Sequence, residues 1–228
     1  CEGHAILFAR SIAAVLPGDL PIPLALSVLD VCGAPALTQR LVKAAQTTPG
    51  AGQGQVTVLI IGAAGKSGSL SAAAARQAGA TRIIGVVPTQ AEAGLLRQFG
   101  MPGLVDDIVI ADARDPVGLA AKVQAAGGPA VVTVVCVDVA GCEGGAILST
   151  APGGTVIFFS MATSFSSAAL GAEGLAADVT MLVGNGYVPG HAELALGLIR
   201  SVPGLRALFE RRLSEPGAGH AGAEGSRP

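Results

Sequence analysis

Residues 56–68 read VTVLIIGAAGKSG, and this stretch decides the fold. An apolar, β-branched run stops at Gly62, and Gly65 and Gly68 follow at three-residue steps before an alanine-rich segment. The run predicts a buried parallel strand over residues 56–61, and the alanines with Leu70 and Arg76 predict a helix over residues 67–78. Between them the spacing Gly-x-x-Gly-x-x-Gly has a physical meaning. Gly62 makes the tight turn, Gly65 lets backbone N–H groups approach a pyrophosphate, and Gly68 lets the helix pack closely on its strand. The positive end of that helix then faces the phosphates, with Lys66 and Ser67 in its first turn. A turn whose glycines serve packing alone is the structural alternative.

Gly65-Lys66-Ser67 also resembles the end of a phosphate-binding P-loop, but the spacing fails. That loop needs a further glycine five residues before Gly65, where this chain has Ile60.

Beyond the turn the pattern repeats in βα rhythm. Strands are expected at residues 82–87, 108–111, 131–139, 155–160 and 179–183, and helices at 90–99, 116–126, 144–149, 191–200 and from Pro203 to Leu213. Six parallel strands with right-handed crossovers predict an α/β fold: a doubly wound, six-stranded Rossmann sheet of order 3-2-1-4-5-6. A helical lead-in at residues 24–41 precedes it, and C-terminal helices follow.

Ligands of such sheets lie outside the carboxyl ends of the strands. Residues 62–68, Val137 with Asp138, Ser160 to Thr163 including Met161, and Gly184 with Asn185 are therefore expected to line the cleft. The acidic residue that would take a ribose 2′-hydroxyl should fall near residues 86–89, and none is there; Thr89 offers a hydroxyl instead. Without that carboxylate the residues leave NADP open, although no arginine follows immediately to welcome a 2′-phosphate. Asp138, among valines, is expected at the end of strand four, to touch cofactor or a substrate amine or to cap the turn at Gly141. Asn185, Tyr187, His191 and Glu193 cluster after strand six. His191 and Asp138 are the candidates for acid/base work, because imidazole titrates near neutrality; helix initiation and loop anchoring are the plainer roles for His191. Ser160 and Thr163 have no triad neighbours and are read as contacts rather than nucleophiles.

Composition narrows the partners. Of 228 residues 50% are hydrophobic and 13% charged, with 33 glycines and no tryptophan, which suits a sheet buried on both faces. The net charge of −2 comes without clusters of basic and aromatic residues, arguing against nucleic acid or anionic membranes as partners. Cys1, Cys32, Cys136 and Cys142 show no metal-ligand spacing. No metal is expected; Cys136 in a strand pattern and Cys32 in a helix pattern read as small buried thiols of a reducing cytoplasm. Residues 144–172 carry no charge, yet Pro152, Gly153 and Gly154 interrupt them and the apolar run 156–159 is far short of a membrane span. Glu2, His4 and Arg10 interrupt any signal-peptide core.

Four blocks carry a family resemblance: LPGDLPIPLALSVLDVCGAPALTQRLV (16–42), VLIIGAAGKSG (58–68), FFSMATSFSSAALGAEG (158–174) and GNGYVPGHAELALGLIR (184–200). The chain resembles the L-erythro-3,5-diaminohexanoate dehydrogenase family of lysine fermentation, itself similar to the medium-chain dehydrogenases, from about Gly3 to Leu213. The resemblance implies a GroES-like catalytic domain followed by a Rossmann domain. It also implies NAD as cofactor, a diamino acid substrate oxidised to 5-amino-3-oxohexanoate and ammonium, a cytoplasmic location and a homo-oligomer. A non-catalytic dinucleotide-binding module and a quinone-reductase-like oxidoreductase are the alternatives. Residues 1–50 then read as the end of the catalytic domain and a helical connector, 51–213 as the Rossmann domain, and 214–228 as a disordered tail. The opening GHAILFARSIAAVLPGDLP (3–21) reads as one domain running into the next. Most of the catalytic domain is missing from the chain, which is therefore expected to bind cofactor without turnover on its own.

Overall fold

The computed structural model describes residues 3, 4, 6–11, 13–47, 54–100, 103–184 and 186–214. The expectations for Cys1, Asn185, most of the 47–55 connector and the tail beyond Ser214 lie outside the described residues.

Six strands form one all-parallel sheet: β1 (Thr57–Ile61), β2 (Arg82–Val87), β3 (Asp107–Ile110), β4 (Ala130–Val135), β5 (Thr150–Phe158) and β6 (Val179–Val183). Their order is β3-β2-β1-β4-β5-β6, as the βα rhythm predicts. β1 pairs with β2 on one side, Thr57 opposite Arg82, and with β4 on the other, Val58 opposite Val132. The chain reverses its direction of winding at that point, which opens a crevice at the carboxyl ends of β1 and β4.

The alternation of side chains along β1 explains the layers. Val58 and Ile60 join one core with Leu70, Leu96, Ile199, Leu205 and Phe209, while Leu59 and Ile61 join the other with Leu119, Val123 and Ala146. The first face carries α1 (Ile22–Leu29), α2 (Gly33–Thr47), α3 (Lys66–Gln77), α4 (Gln90–Leu95), α8 (His191–Ser201) and α9 (Pro203–Ser214). The second carries α5 (Pro116–Ala125), α6 (Glu143–Leu148) and α7 (Phe165–Gly174). α3 is buried along Gly68–Ala75, where every residue but Leu70 is glycine, serine or alanine; that lets α2 lie closely over it.

Several boundaries differ from the sequence expectation, each for a local reason. The lead-in is two helices bent by 51°, because Pro35 has no N–H to donate and is tolerated only in a first helical turn; Cys32 sits in the break, not in a helix. β4 stops at Val135, so Cys136 and Asp138 lie in the following loop. β5 starts at Thr150 and takes up Pro152, Gly153 and Gly154 in a bulge before pairing resumes at Thr155. After Leu95 the helix of residues 90–99 widens into a π turn, Leu96–Gly100, whose Phe99 carbonyl lies against Gly204 at the start of α9. α7 is an element the sequence pattern did not indicate: the Ser164 hydroxyl accepts from the Ser167 N–H and caps it. Among the described residues no single helix is long and apolar enough to cross a membrane.

Two helical glycines should respond oppositely to alanine. A Cβ on Gly68 would overlap the Gly62 carbonyl oxygen, whereas one on Gly197 of α8 meets nothing within 4 Å. Gly68→Ala should destabilise by about 1–3 kcal/mol, and Gly197→Ala should stabilise by about 0.5–1 kcal/mol. Denaturant unfolding of the two variants measures both signs.

Candidate functional site

The glycine turn is built as its spacing implies. Gly62 has φ +87°, and a Cβ there would sit 2.7 Å from Cγ1 of Val137. The Gly62 and Ala63 N–H groups both donate to the Val86 carbonyl, tying the turn to β2, and the Gly65 N–H donates to the Gly62 carbonyl at 3.0 Å. Gly65 is the N-cap of α3 with no side-chain cap, so the first N–H groups of the helix open toward the crevice with the positive end of its dipole.

Beside the turn lies a cavity of about 320 Å³ across the carboxyl ends of β1 to β4. Its walls are apolar: Val86, Val87 and Pro88 after β2, Ala113 after β3, Val137 and Val139 after β4. One charged pair stands in its lining. Arg114 donates from Nε and Nη2 to both carboxylate oxygens of Asp112 at 2.8–3.2 Å, and its backbone N–H donates to Oδ1 at 2.9 Å. These hydrogen bonds hold the Asp112 carboxyl down to about 2, so it stays an acceptor throughout the physiological range. Sequence reasoning missed this pair, although Asp112 lies just past the carboxyl end of β3, where the same strand-end rule points.

The remaining expected site residues are placed as follows. Lys66 makes an ion pair with Asp30 at the end of α1, 2.9 Å, so its ammonium already has an internal carboxylate partner. Ser67 is half-buried in the first turn of α3. Thr89 caps α4 by accepting from the Glu92 N–H. Val137 lines the cavity. Asp138 is exposed rather than buried, and it accepts at 3.5 Å from the Ser160 hydroxyl; the cap of the helix after Gly141 is Cys142, with no side-chain bond, so the capping role expected of Asp138 is not made. Met161 is 96% exposed. Asn185 lies outside the described residues. His191 opens α8; its Nδ1 donates to the Val188 carbonyl at 2.8 Å, which leaves Nε2 as the acceptor of the neutral ring, and the ring rests on Tyr187 at 5.0 Å. Glu193 is exposed. Among the described residues no hydrogen bond joins His191 to Asp138.

A second residue missed in the sequence is Glu143. Only 4% exposed at the start of α6, it accepts from the Ser164 N–H at 2.7 Å and so fastens the end of the Ser160–Ser164 loop. A buried glutamate in a glycine-rich stretch gives no periodic signal.

The comparisons with known proteins bear on this geometry. No family model matches the chain. It is 45% identical over 214 residues to L-erythro-3,5-diaminohexanoate dehydrogenase of Acetoanaerobium sticklandii, and 45% identical over 215 residues to that of Fusobacterium nucleatum. The chain is similar to these dehydrogenases along nearly all of its length. The alignments take in 92% and 91% of the chain but 58% of each relative, so the chain spans little more than half of the proteins it matches. Among solved structures, the fold matches AibC with a TM-score of 0.59 at 24% identity, over 84% of this chain and 53% of that one. It also matches the yhdH oxidoreductase of Salmonella enterica, solved with NADP, with a TM-score of 0.57 at 17% identity, over 87% and 57%. These likenesses establish a Rossmann fold of the kind expected.

Cys142 is buried in the cavity lining, and Cys136 is half-buried in the loop after β4; burial of the sulfur pushes their thiols up to about 11 and about 12. Their contribution to stability is thus complete below the ordinary thiol range near 8.5 and is lost as the pH climbs toward those raised values. At pH 8 both should resist iodoacetamide in the folded protein and react once unfolded, with labelled cysteines identified by mass spectrometry. Fast native labelling of either would contradict the burial.

Proposed function

We propose that this chain is the dinucleotide-binding portion of an NAD-dependent dehydrogenase acting on L-erythro-3,5-diaminohexanoate. One observation carries the reading: the turn from Gly62 to Gly68, with an uncapped helix start behind it, sits where β1 and β4 diverge and opens beside a cavity large enough for an adenosine. The 45% identity to two enzymes named for that substrate gives the reading its chemistry.

The residues fit the cofactor. The free N–H groups of Lys66 and Ser67 with the helix dipole suit a pyrophosphate. The Val86, Pro88, Val137 and Val139 walls suit a base and sugar, with Asp112 the carboxylate that β2 itself lacks. The Asp112 carboxylate is placed to accept from a ribose hydroxyl, which supports NAD. Bound there, the cofactor would supply its nicotinamide ring as the hydride acceptor for C3 of the substrate, and hydrolysis of the resulting imine would give ammonium and 5-amino-3-oxohexanoate. The loop after β5, Ser160 to Thr163, and Gly184 after β6 are proposed to face that ring. Glu143 holds the first of these in place. Hydride transfer depends on such fixing, since a misplacement of about 1 Å can cost about a hundredfold in rate. His191 and Asp138 stay proposals for proton transfer to or from the amine.

We further propose the division into a lead-in at residues 1–50, a Rossmann domain at 51–213 and a tail at 214–228. Exposed Ile6, Phe8 and Val15, with Ile22 and Leu26 on α1, support a lead-in that packs against another part of the protein. A homo-oligomer in the cytoplasm belongs to the same proposal; β6 is an uncharged edge strand that a second copy can extend.

Saturating NADH should stabilise the fold by about 2.7 kcal/mol at one hundred times Kd, more than NADPH at equal concentration. Gly65→Val should abolish that shift with little loss of fold, because a branched side chain there blocks the approach of the pyrophosphate. The complete gene product should form NADH with 3,5-diaminohexanoate and little with simple alcohols. Alcohol oxidation without diamino acid turnover would overturn the substrate; absence of any nucleotide shift would overturn the site.

A further inference from the structure

Arg212 lies near the end of α9, 148 residues away from the glycine turn it touches. Its Nε donates to the Ala64 carbonyl at 2.8 Å. Its Nη2 donates to both carboxylate oxygens of Glu92, at 3.1 and 3.0 Å. The pair is largely covered, with side-chain exposures of 21% and 30%. Glu92 stands in the first turn of α4, directly after the exit of β2. One guanidinium therefore joins the last helix, the turn after β1 and the helix after β2.

The effect on the turn follows from its peptide geometry. Ala64 is fully buried, and the carbonyl that Arg212 holds belongs to the same planar peptide unit as the Gly65 N–H. That N–H donates to Gly62 O. Both ends of this peptide are thus tied, one within the turn and one from outside it. Its plane sets the direction in which the following N–H groups, of Lys66 and Ser67, leave the start of α3. Without Arg212 the buried carbonyl loses the partner that fixes this plane.

We propose that Arg212 is a positioning residue for the phosphate-binding turn: through the Ala64 carbonyl it holds the Gly62–Gly68 backbone in the shape that accepts a pyrophosphate, and through Glu92 it fixes that turn relative to the exit of β2. This rests on the dinucleotide reading given above. It goes beyond that reading because nothing in the Gly-x-x-Gly-x-x-Gly pattern points to a residue of the last helix. An arginine that only held α9 against the domain would lower stability without distinguishing ligands that carry phosphates from those that do not.

The test is calorimetric titration of the protein with ADP-ribose, which carries the pyrophosphate, and with adenosine, which does not. Arg212→Ala should weaken ADP-ribose about tenfold, the equivalent of one good hydrogen bond, and leave adenosine within about twofold. Arg212→Lys, which can make one of the two contacts but not the fork, should recover part of the loss. Glu92→Gln, which keeps an acceptor without the charge, should give a smaller loss of the same selectivity and serves, with Arg212→Lys, if the alanine variant does not fold. Equal weakening of both ligands, or no weakening in a folded variant, would overturn the role of Arg212 while leaving the nucleotide site standing. A wild-type protein that bound neither ligand would overturn the nucleotide site and this role together.

Discussion

The carbonyl oxygen of Gly62 occupies the space that any side chain on Gly68 would need. This one approach brings the start of α3 against the end of β1, and the arrangement around the crevice follows from it. Because the strand and helix touch there, the intervening residues must reverse within a few positions, which the positive φ of Gly62 permits. Because they reverse so tightly, the helix enters with its first N–H groups uncapped and facing the crevice between β1 and β4. The alanine and serine face of α3 extends the same close approach outward to α2, so small residues rather than large ones set the spacing of this layer.

Charge plays a different part. The ion pairs are mostly exposed and contribute little to stability individually; their value lies in where they fasten the chain. Arg200 holds Asp19 of the lead-in with two bonds of 2.7 Å, and Lys66 holds Asp30 at the end of α1, so the segment before the sheet is tied to α8 and α3. Arg114 and Asp112 stiffen the loop after β3 in the same manner.

Much of this was legible in the sequence because the sheet is parallel and buried. Strands such as VLII, ended by Gly62, and IIGVV, ended by Pro88, are runs without a charge or a polar side chain, and alternation with helices leaves few topologies open. The glycine turn was legible for the opposite reason: close approach forbids side chains, and absence of a side chain is visible as a letter. What could not be read were contacts between distant segments. Nothing in the neighbourhood of Lys66 announces Asp30, and nothing near Ala64 announces Arg212. Asp138 was misplaced because CVDVA continues the valine alternation of β4 after its pairing has ended; period alone does not show where a neighbouring strand stops. The bulge at Pro152 to Gly154 hid the start of β5 in the same way, since residues that read as a break were absorbed into the strand.

The link between Arg212 and Ala64 also orders events in time. A chain made from its amino end presents β1, its glycine turn and α3 early, yet β4, the second neighbour of β1, follows only after two further βα units, and α9 comes last of all the described elements. Non-local pairings of this kind are slow to form because the intervening chain must be closed into a loop first. The glycine turn therefore has its full set of contacts only once β4 and α9, later along the chain, have joined it, and a chain still being made displays the motif before it possesses the site.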